Sequence, residues 1–367
     1  MAIRILRRYV LRELLAVFAY CATGFILIHL VFDLFSSLPR ILNNQPHWQQ
    51  VARYYLSYVA PALELLIPAA LMLATLYTLW QLSRHHELVA MRASGINLWT
   101  ISGVFIKVGL VISLMMVLAR ETVIPPAALW AHQFKNRGFT EEPEETTEPL
   151  SYANSMVNRQ WLIDAFSPHQ PGQLRDVKVT QERHDGTRQT VISAPLAEWL
   201  DGAWWFYRPT IRHFNEQDAP LGGKQTEAPI DTILEIPYLT ETPDDLLAEK
   251  RPWELLSASM MAHYLQSHQH LSAATLAERT TDFHARLAMP WTSLIVLFFA
   301  IPLGAQTGRQ SVLSGIIVAL ACFFGFYALF QVGIFMGKSQ LVQPWIGAWL
   351  SNVVFLTIGA GMALHTR

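Results

Sequence analysis

The sequence predicts a polytopic α-helical membrane protein: six transmembrane helices, three before and three after an inserted all-β, jellyroll-like domain. Three observations carry this. Apolar stretches lie at 14–32, 59–82, 99–119, 287–303, 312–336 and 341–364, and about 18–20 apolar residues suffice to cross the hydrocarbon core as a helix. The composition is 52% hydrophobic and only 15% charged. The charge is also divided: residues 122–283 hold 13 Lys/Arg against 23 Asp/Glu, and the rest of the chain holds 14 against 5. A basic membrane part and an acidic insert are expected in different compartments, which sets the domains at 1–121, 122–283 and 284–367.

The first span exceeds a typical signal-peptide core and no small-x-small site follows it, so it is expected to remain as an anchor. Orientation follows from loop charge. Arg4, Arg7, Arg8 and Arg12 precede the first span, Arg84 and Arg92 follow the second, Arg309 follows the fourth, and Arg367 is last. The opposite short loops carry Arg40, Arg53 and Lys338. Both termini are therefore expected in the cytoplasm and the acidic insert in the periplasm. The fourth stretch is short, and His284 and Arg286 are expected to complete it by snorkelling to the interface.

Within the insert, Glu141, Glu142, Glu144, Glu145 and Glu148 with Pro143 and Pro149 predict a flexible acidic linker. Strand-like runs follow at 151–157, 160–166, 175–184, 187–193, 197–200 and 203–208. Asp185-Gly186 and Asp201-Gly202 separate paired runs, which predicts hairpins, because the turn needs positive φ. An antiparallel sandwich or jelly roll results, with Trp199, Trp204 and Trp205 supplying much of its apolar area. Residues 254–269 and 272–282 predict helices leading back to the membrane. Cys21 and Cys322 fall within spans, so the insert has no disulfide framework.

Catalytic chemistry is not indicated. Gly337-Lys338-Ser339 matches the end of a phosphate-binding loop, but Val332 stands where its first glycine belongs. His85-His86 and His268-Gln269-His270 lack the i,i+4 spacing of helical zinc ligands. No Gly-x-Ser-x-Gly elbow exists. His29, Asp33 and Glu64 sit toward the outer ends of their spans, away from the depth an intramembrane protease needs. No cofactor is expected on this chain, and no nucleic-acid partner.

Between the second and third spans, Glu87-Leu88-Val89-Ala90-Met91-Arg92-Ala93-Ser94-Gly95 predicts a short interfacial helix stopped by Gly95. Glu87 and Met91 share a face at i,i+4. Such a helix is either a plain connector lying on the membrane or a coupling helix that docks into a cytoplasmic partner. The segment resembles the motif of the lipopolysaccharide export permeases, the LptF/LptG family, and is slightly more similar to the LptG side. Phe283-His284-Ala285-Arg286-Leu287-Ala288-Met289-Pro290 at the start of the fourth span is also similar to that family. So are Thr242-Pro243-Asp244-Asp245-Leu246 and the order three spans, β domain, three spans.

The resemblance implies a transmembrane subunit of an ABC transporter in the bacterial inner membrane. ATP and Mg would then sit on a separate LptB-like ATPase dimer. A second LptF/LptG-type permease and an LptC-like periplasmic bridge protein would be further partners, and lipopolysaccharide the cargo. It implies that Glu87 meets the ATPase, flanked by Arg84 and Arg92, with Met91 on the same helix. It also implies a lateral gate between the first and fifth spans. The candidates there are His29, Asp33 and Arg40 in the first and Gly315, Ala319, Cys322 and Gly325 in the fifth, where small residues permit close helix approach or ordinary intrachain packing.

Arg40 and Arg53 are the cations available to a phosphorylated lipid; Ser36-Ser37-Leu38-Pro39 stand where some family members carry lysines. Trp161, Trp204 and Phe206 are candidates for an acyl-chain groove or for plain core. Three alternatives remain at this point. A lipoprotein-releasing ABC subunit would place its outer domain after the first span. A membrane scaffold would not need Glu87. A secondary transporter would carry ionisable groups at the midplane, which these spans are expected to lack.

Overall fold

A computed structural model describes the chain except at residues 1, 95–97, 141–147, 169, 222–225, 228–232, 269–270, 307–311 and 366–367. The chain divides into two compact units, Met1–Glu141 with Ala277–Arg367, and Glu142–Leu276. Gly95, Arg309, Arg367 and the linker residues Glu141, Glu142, Pro143, Glu144 and Glu145 lie outside the described residues.

Among the described residues, six helical stretches are long and apolar enough to cross a membrane: Arg4–Asn44, Trp48–Arg84, Ile101–Thr122, Ala273–Ala305, Gly315–Lys338 and Pro344–Met362. The first two helices, α1 (Ala2–Asn44) and α2 (Trp48–Arg84), far outrun their apolar stretches. At 1.5 Å per residue the 43 residues of α1 extend about 64 Å, roughly twice the thickness of a hydrocarbon core. A seven-residue helix, α3 (Glu87–Ala93), follows, then α4 (Leu98–Thr122) and α5 (Ile124–Asn136). Val10 and Leu14 of α1, Leu71 and Leu79 of α2 and Phe105 of α4 share one buried cluster.

The position of α5 corrects the expected domain boundary. Pro125 and Pro126 open a new helix, as proline does at a helix start. Its apolar face, Ala131 and Phe134, packs with Tyr54 of α2 and Phe139. The membrane unit therefore runs to 141 and resumes at 277, rather than ending at 121 and resuming at 284.

The second unit is built on one antiparallel sheet of eight strands. They are β1 (Glu148–Asn154), β2 (Arg159–Phe166), β3 (Gln173–Glu182), β4 (Arg188–Leu200), β5 (Ala203–Tyr207), β6 (Thr210–His213), β7 (Thr226–Glu227) and β8 (Ile233–Ile236). Glu148 and Pro149, expected in the linker, open β1. The main path is β1-β2-β3-β4-β5-β8, with β6 and β7 branching from β4. The runs expected at 187–193 and 197–200 are one 13-residue strand. Pro195 does not break it because it is exposed and falls at a gap in the register, opposite Asp176, whose φ is +51°. Both Asp-Gly turns form, with Gly186 at φ +82° and Gly202 at φ +83°.

The sheet curls. β2 and β5 are three places apart, about 14 Å in a flat sheet, yet the rings of Trp161 and Trp204 lie 5.5 Å apart. Trp161, Trp204 and Phe206 are fully buried core, which resolves their two readings. The segment after β8 closes the curl. Glu241 accepts hydrogen bonds from Arg159 Nη1 at 2.7 Å and from Asn154 Nδ2 at 3.0 Å, and its carbonyl accepts one from Trp204 Nε1 at 2.6 Å. Helix α6 (Pro243–Lys250), opened by a Thr242/Asp245 capping box, seals the core with Leu246 and Leu247. Helix α7 (Ala258–Ser267) follows.

The chain re-enters the membrane unit along α8 (Ala273–Ala288) and α9 (Thr292–Gln306), joined by a 3₁₀ turn at Met289–Trp291. Pro290 supplies no N–H to the α ladder; in the 3₁₀ turn Thr292 N–H donates to the Met289 carbonyl, and the Ala288 carbonyl accepts from Asn352 Nδ2 at 3.0 Å. Asn352 belongs to the last helix, α11 (Pro344–His365), which packs on α10 (Val312–Lys338). There Gly333 and Gly347 meet so closely that a Cβ on either would overlap the carbonyl of the other.

Candidate coupling helix and lipid-facing residues

The loop between the second and third spans folds into α3 as the sequence suggests. His86, at φ +58°, turns the chain off the end of α2. Ala90 N–H then donates to the His86 carbonyl, and Ser94 Oγ donates to the Met91 carbonyl at the far end. Glu87 stands in the first turn, where a carboxylate favours the helix dipole.

The faces of α3 differ from the expected pairing of Glu87 with Met91. Leu88 and Met91 are buried with α1, α2, α4 and α9, in the cluster that contains Val10, Leu82, Phe105 and Leu297. Met91 is thus an anchor. Val89 is 58% exposed and Glu87 half-exposed. Tyr9 of α1 donates from its hydroxyl to Glu87 Oε1 at 3.3 Å. Arg84 is exposed at the end of α2, its guanidinium 5.1 Å from the Trp80 ring centroid. The Arg92 side chain lies outside the described residues.

The residues assigned to a gate are not brought together. Asp33 is only 4% exposed. It accepts hydrogen bonds from Lys135 Nζ at 2.6 Å, Tyr54 hydroxyl at 2.9 Å and Ser37 Oγ at 3.3 Å. It ties α1 to α2 and α5. His29 stacks on Tyr58 with ring centroids 4.9 Å apart. Arg40 is exposed, while Arg53 lies over the Trp130 ring at 4.3 Å. On α10, Ala319 is fully buried and Cys322 packs beside it, in a cluster with Met72, Val296 and Phe299 that holds no α1 residue. Gly315 is half-buried, and a Cβ on Gly325 would meet Phe355 of α11 at 3.6 Å. Within the chain, Ala319 and Cys322 of α10 pack toward α2 and α9, and Gly325 faces α11.

Several polar pairings escaped the sequence reading. Glu64 of α2 and Arg120 of α4 form an ion pair at 2.9 Å, both largely buried. Arg286, expected to snorkel outward, is 5% exposed instead and lies within electrostatic reach of Arg120, Glu64 and Glu121. Lys107 stands inside the span Ile101–Thr122. The spans therefore do carry ionisable groups. Their sequence signal was single charges in separate apolar runs, which does not tell which charge meets which. Among the described residues no group of three or more His, Cys, Asp or Glu side chains is placed to share a metal ion.

No curated protein matches the chain. The family model for the lipopolysaccharide export system permease LptF/LptG matches residues 8–365, nearly the whole chain. That span takes in all six apolar helices, α3 and the curled sheet. The match does not separate the LptF from the LptG side, so the slight LptG likeness of the α3 segment stays unassigned. The chain belongs to the LptF/LptG family of lipopolysaccharide export permeases.

Proposed function

We propose that this chain is one of two permease subunits of an ABC transporter that extracts lipopolysaccharide from the inner membrane. It passes the lipid through its β domain to an LptC-like bridge protein. ATP and Mg are bound by an LptB-like dimer on the cytoplasmic side, and this chain itself catalyses no reaction. Both termini are cytoplasmic and the β domain periplasmic.

The observation that carries the reading is the mounting of α3. Leu88 and Met91 fix the short helix into the bundle core, while Arg84, Glu87 and Val89 remain presented outward. A helix held this way moves with the bundle, which suits it to transmit a stroke from an attached ATPase. Arg84 and Glu87 are the charges assigned to that contact, with Arg92 beside them. Met91 holds the lever from inside.

Glu87→Lys tests this. The variant should fold, since Glu87 is only half-exposed with one long hydrogen bond. It is expected to lose co-purifying ATPase and to stop lipopolysaccharide reaching the cell surface. Full ATPase retention with normal surface lipopolysaccharide would favour the scaffold alternative.

A further inference from the structure

A groove between α1 and α4 has no part in the function proposed above. It encloses about 750 Å³, within the usual range for ligand sites of about 300–1,000 Å³. Both helices run the same way, because α2 returns the chain between them, and Val10 and Leu14 pack with Ile101 and Phe105. The groove is lined from Arg7 to Phe18 on α1 and from Gly103 to Met115 on α4, so Gly103 and Lys107 fall toward the end that holds Arg7 and Arg8. The groove is cationic at that end, from Arg7, Arg8 and Lys107. Farther along, Leu15, Phe18, Val111 and Met115 make it wholly apolar.

Lys107 is the informative residue. It is exposed inside an otherwise uncharged stretch of the third span. A cation at that depth is costly unless a counter-charge meets it. Among the described residues, neither it nor Arg7 nor Arg8 has an acidic partner. The groove thus offers three donors and no acceptor at one end and only hydrocarbon at the other. That pattern fits an amphiphile with one anionic head. A partner helix would cover the apolar walls but would have to bring acidic side chains into the membrane to match the three cations. Free phosphate has no use for the apolar length.

We propose that the groove binds an anionic glycerophospholipid of the cytoplasmic leaflet. Arg7, Arg8 and Lys107 hold its phosphodiester, and an acyl chain lies along Leu15, Phe18, Val111 and Met115. The choice of leaflet rests on the orientation proposed above; the ligand chemistry does not.

The test is native mass spectrometry of the purified full chain, titrated with phosphatidylglycerol or with phosphatidylcholine. The wild type should retain one phosphatidylglycerol in preference to phosphatidylcholine, and excess inorganic phosphate should not displace it. Lys107→Met, and Arg7→Gln with Arg8→Gln, should each weaken that preference by about tenfold, the scale of one charged hydrogen bond. Gly103→Phe gives a second route, since a Cβ there meets nothing within 4 Å. It fills the groove, leaves every cation in place, and should exclude the lipid. Equal retention of both lipids by the wild type, or an unchanged preference in the variants, would overturn the proposal. The readout is lipid retention alone, so a failure here is separate from any failure of ATPase docking or export.

Discussion

Glu241 shows what a single residue does in the β domain. Its carboxylate is buried against Arg159, with the two side chains 0% and 6% exposed, and its backbone carbonyl holds Trp204. Removing one member of such a pair strands the other charge in a dry site, at a cost of about 3–5 kcal/mol. Glu241→Ala should therefore lower the stability of this unit by that amount. Hydrogen exchange on the full chain should show the loss of protection in β1 and β2, which the carboxylate ties through Asn154 and Arg159; the carbonyl that holds Trp204 is kept in the variant. Unchanged protection there would sink the assignment. The Asp33 network makes the same point about legibility. Asp33 was visible in the sequence as an acid near the outer end of a span, but its partner Lys135 is 102 residues away. A one-dimensional pattern reports that a charge needs a partner, not which fold element brings it. Asp33 was therefore named among the gate candidates on position alone; within the chain it is a buried tie between helices. The helix that carries Glu87 was legible because its turn and its run of helix formers are local.

At the scale of elements, what could be read depended on periodicity. Apolar runs gave all six spans, and the two Asp-Gly turns gave their hairpins, because both signals lie within a few residues. Several elements went unread, β6, β8 and α6 among them, and for α5 and the unbroken course of β4 the reason can be stated. The helix α5 follows a proline pair and carries a mixed composition, so its apolar face became evident only once Tyr54 and Phe139 covered it. The strand β4 was cut in two at Pro195, whose missing N–H matters only if the ladder needs it there, and the ladder skips that residue. The contact between α10 and α11 yields a prediction of its own. Gly333 and Gly347 bring the two backbones together with no room for a side chain. Gly347→Val should cost about 1–3 kcal/mol by overpacking. It should lower the thermal midpoint of the detergent-purified chain more than Gly361→Val does, since a Cβ on Gly361 meets nothing within 4 Å. Equal shifts for the two would show that the close approach is relieved at no cost.

At the scale of the molecule, the division of charge and the division into units coincide. The acidic stretch that forms the sheet lies between two basic membrane segments, and cations crowd the first turns of α1 and close α2. The positive-inside rule supports the proposed orientation, with the α3 side in the cytoplasm and the sheet in the periplasm. Export depends on this assignment, because an ATPase has nucleotide only on the cytoplasmic side, while the lipid leaves on the other. Two exposed positions report on it. Val89 lies on the outward face of α3, and Gln217 is exposed in the turn after β6. With Cys21 and Cys322 replaced by alanine, Gln217→Cys in spheroplasts should react with a membrane-impermeant maleimide. Val89→Cys should react only after the membrane is permeabilised. The reverse pattern would invert the molecule, placing α3 out of reach of any ATPase and moving the Arg7, Arg8 and Lys107 groove to the opposite leaflet.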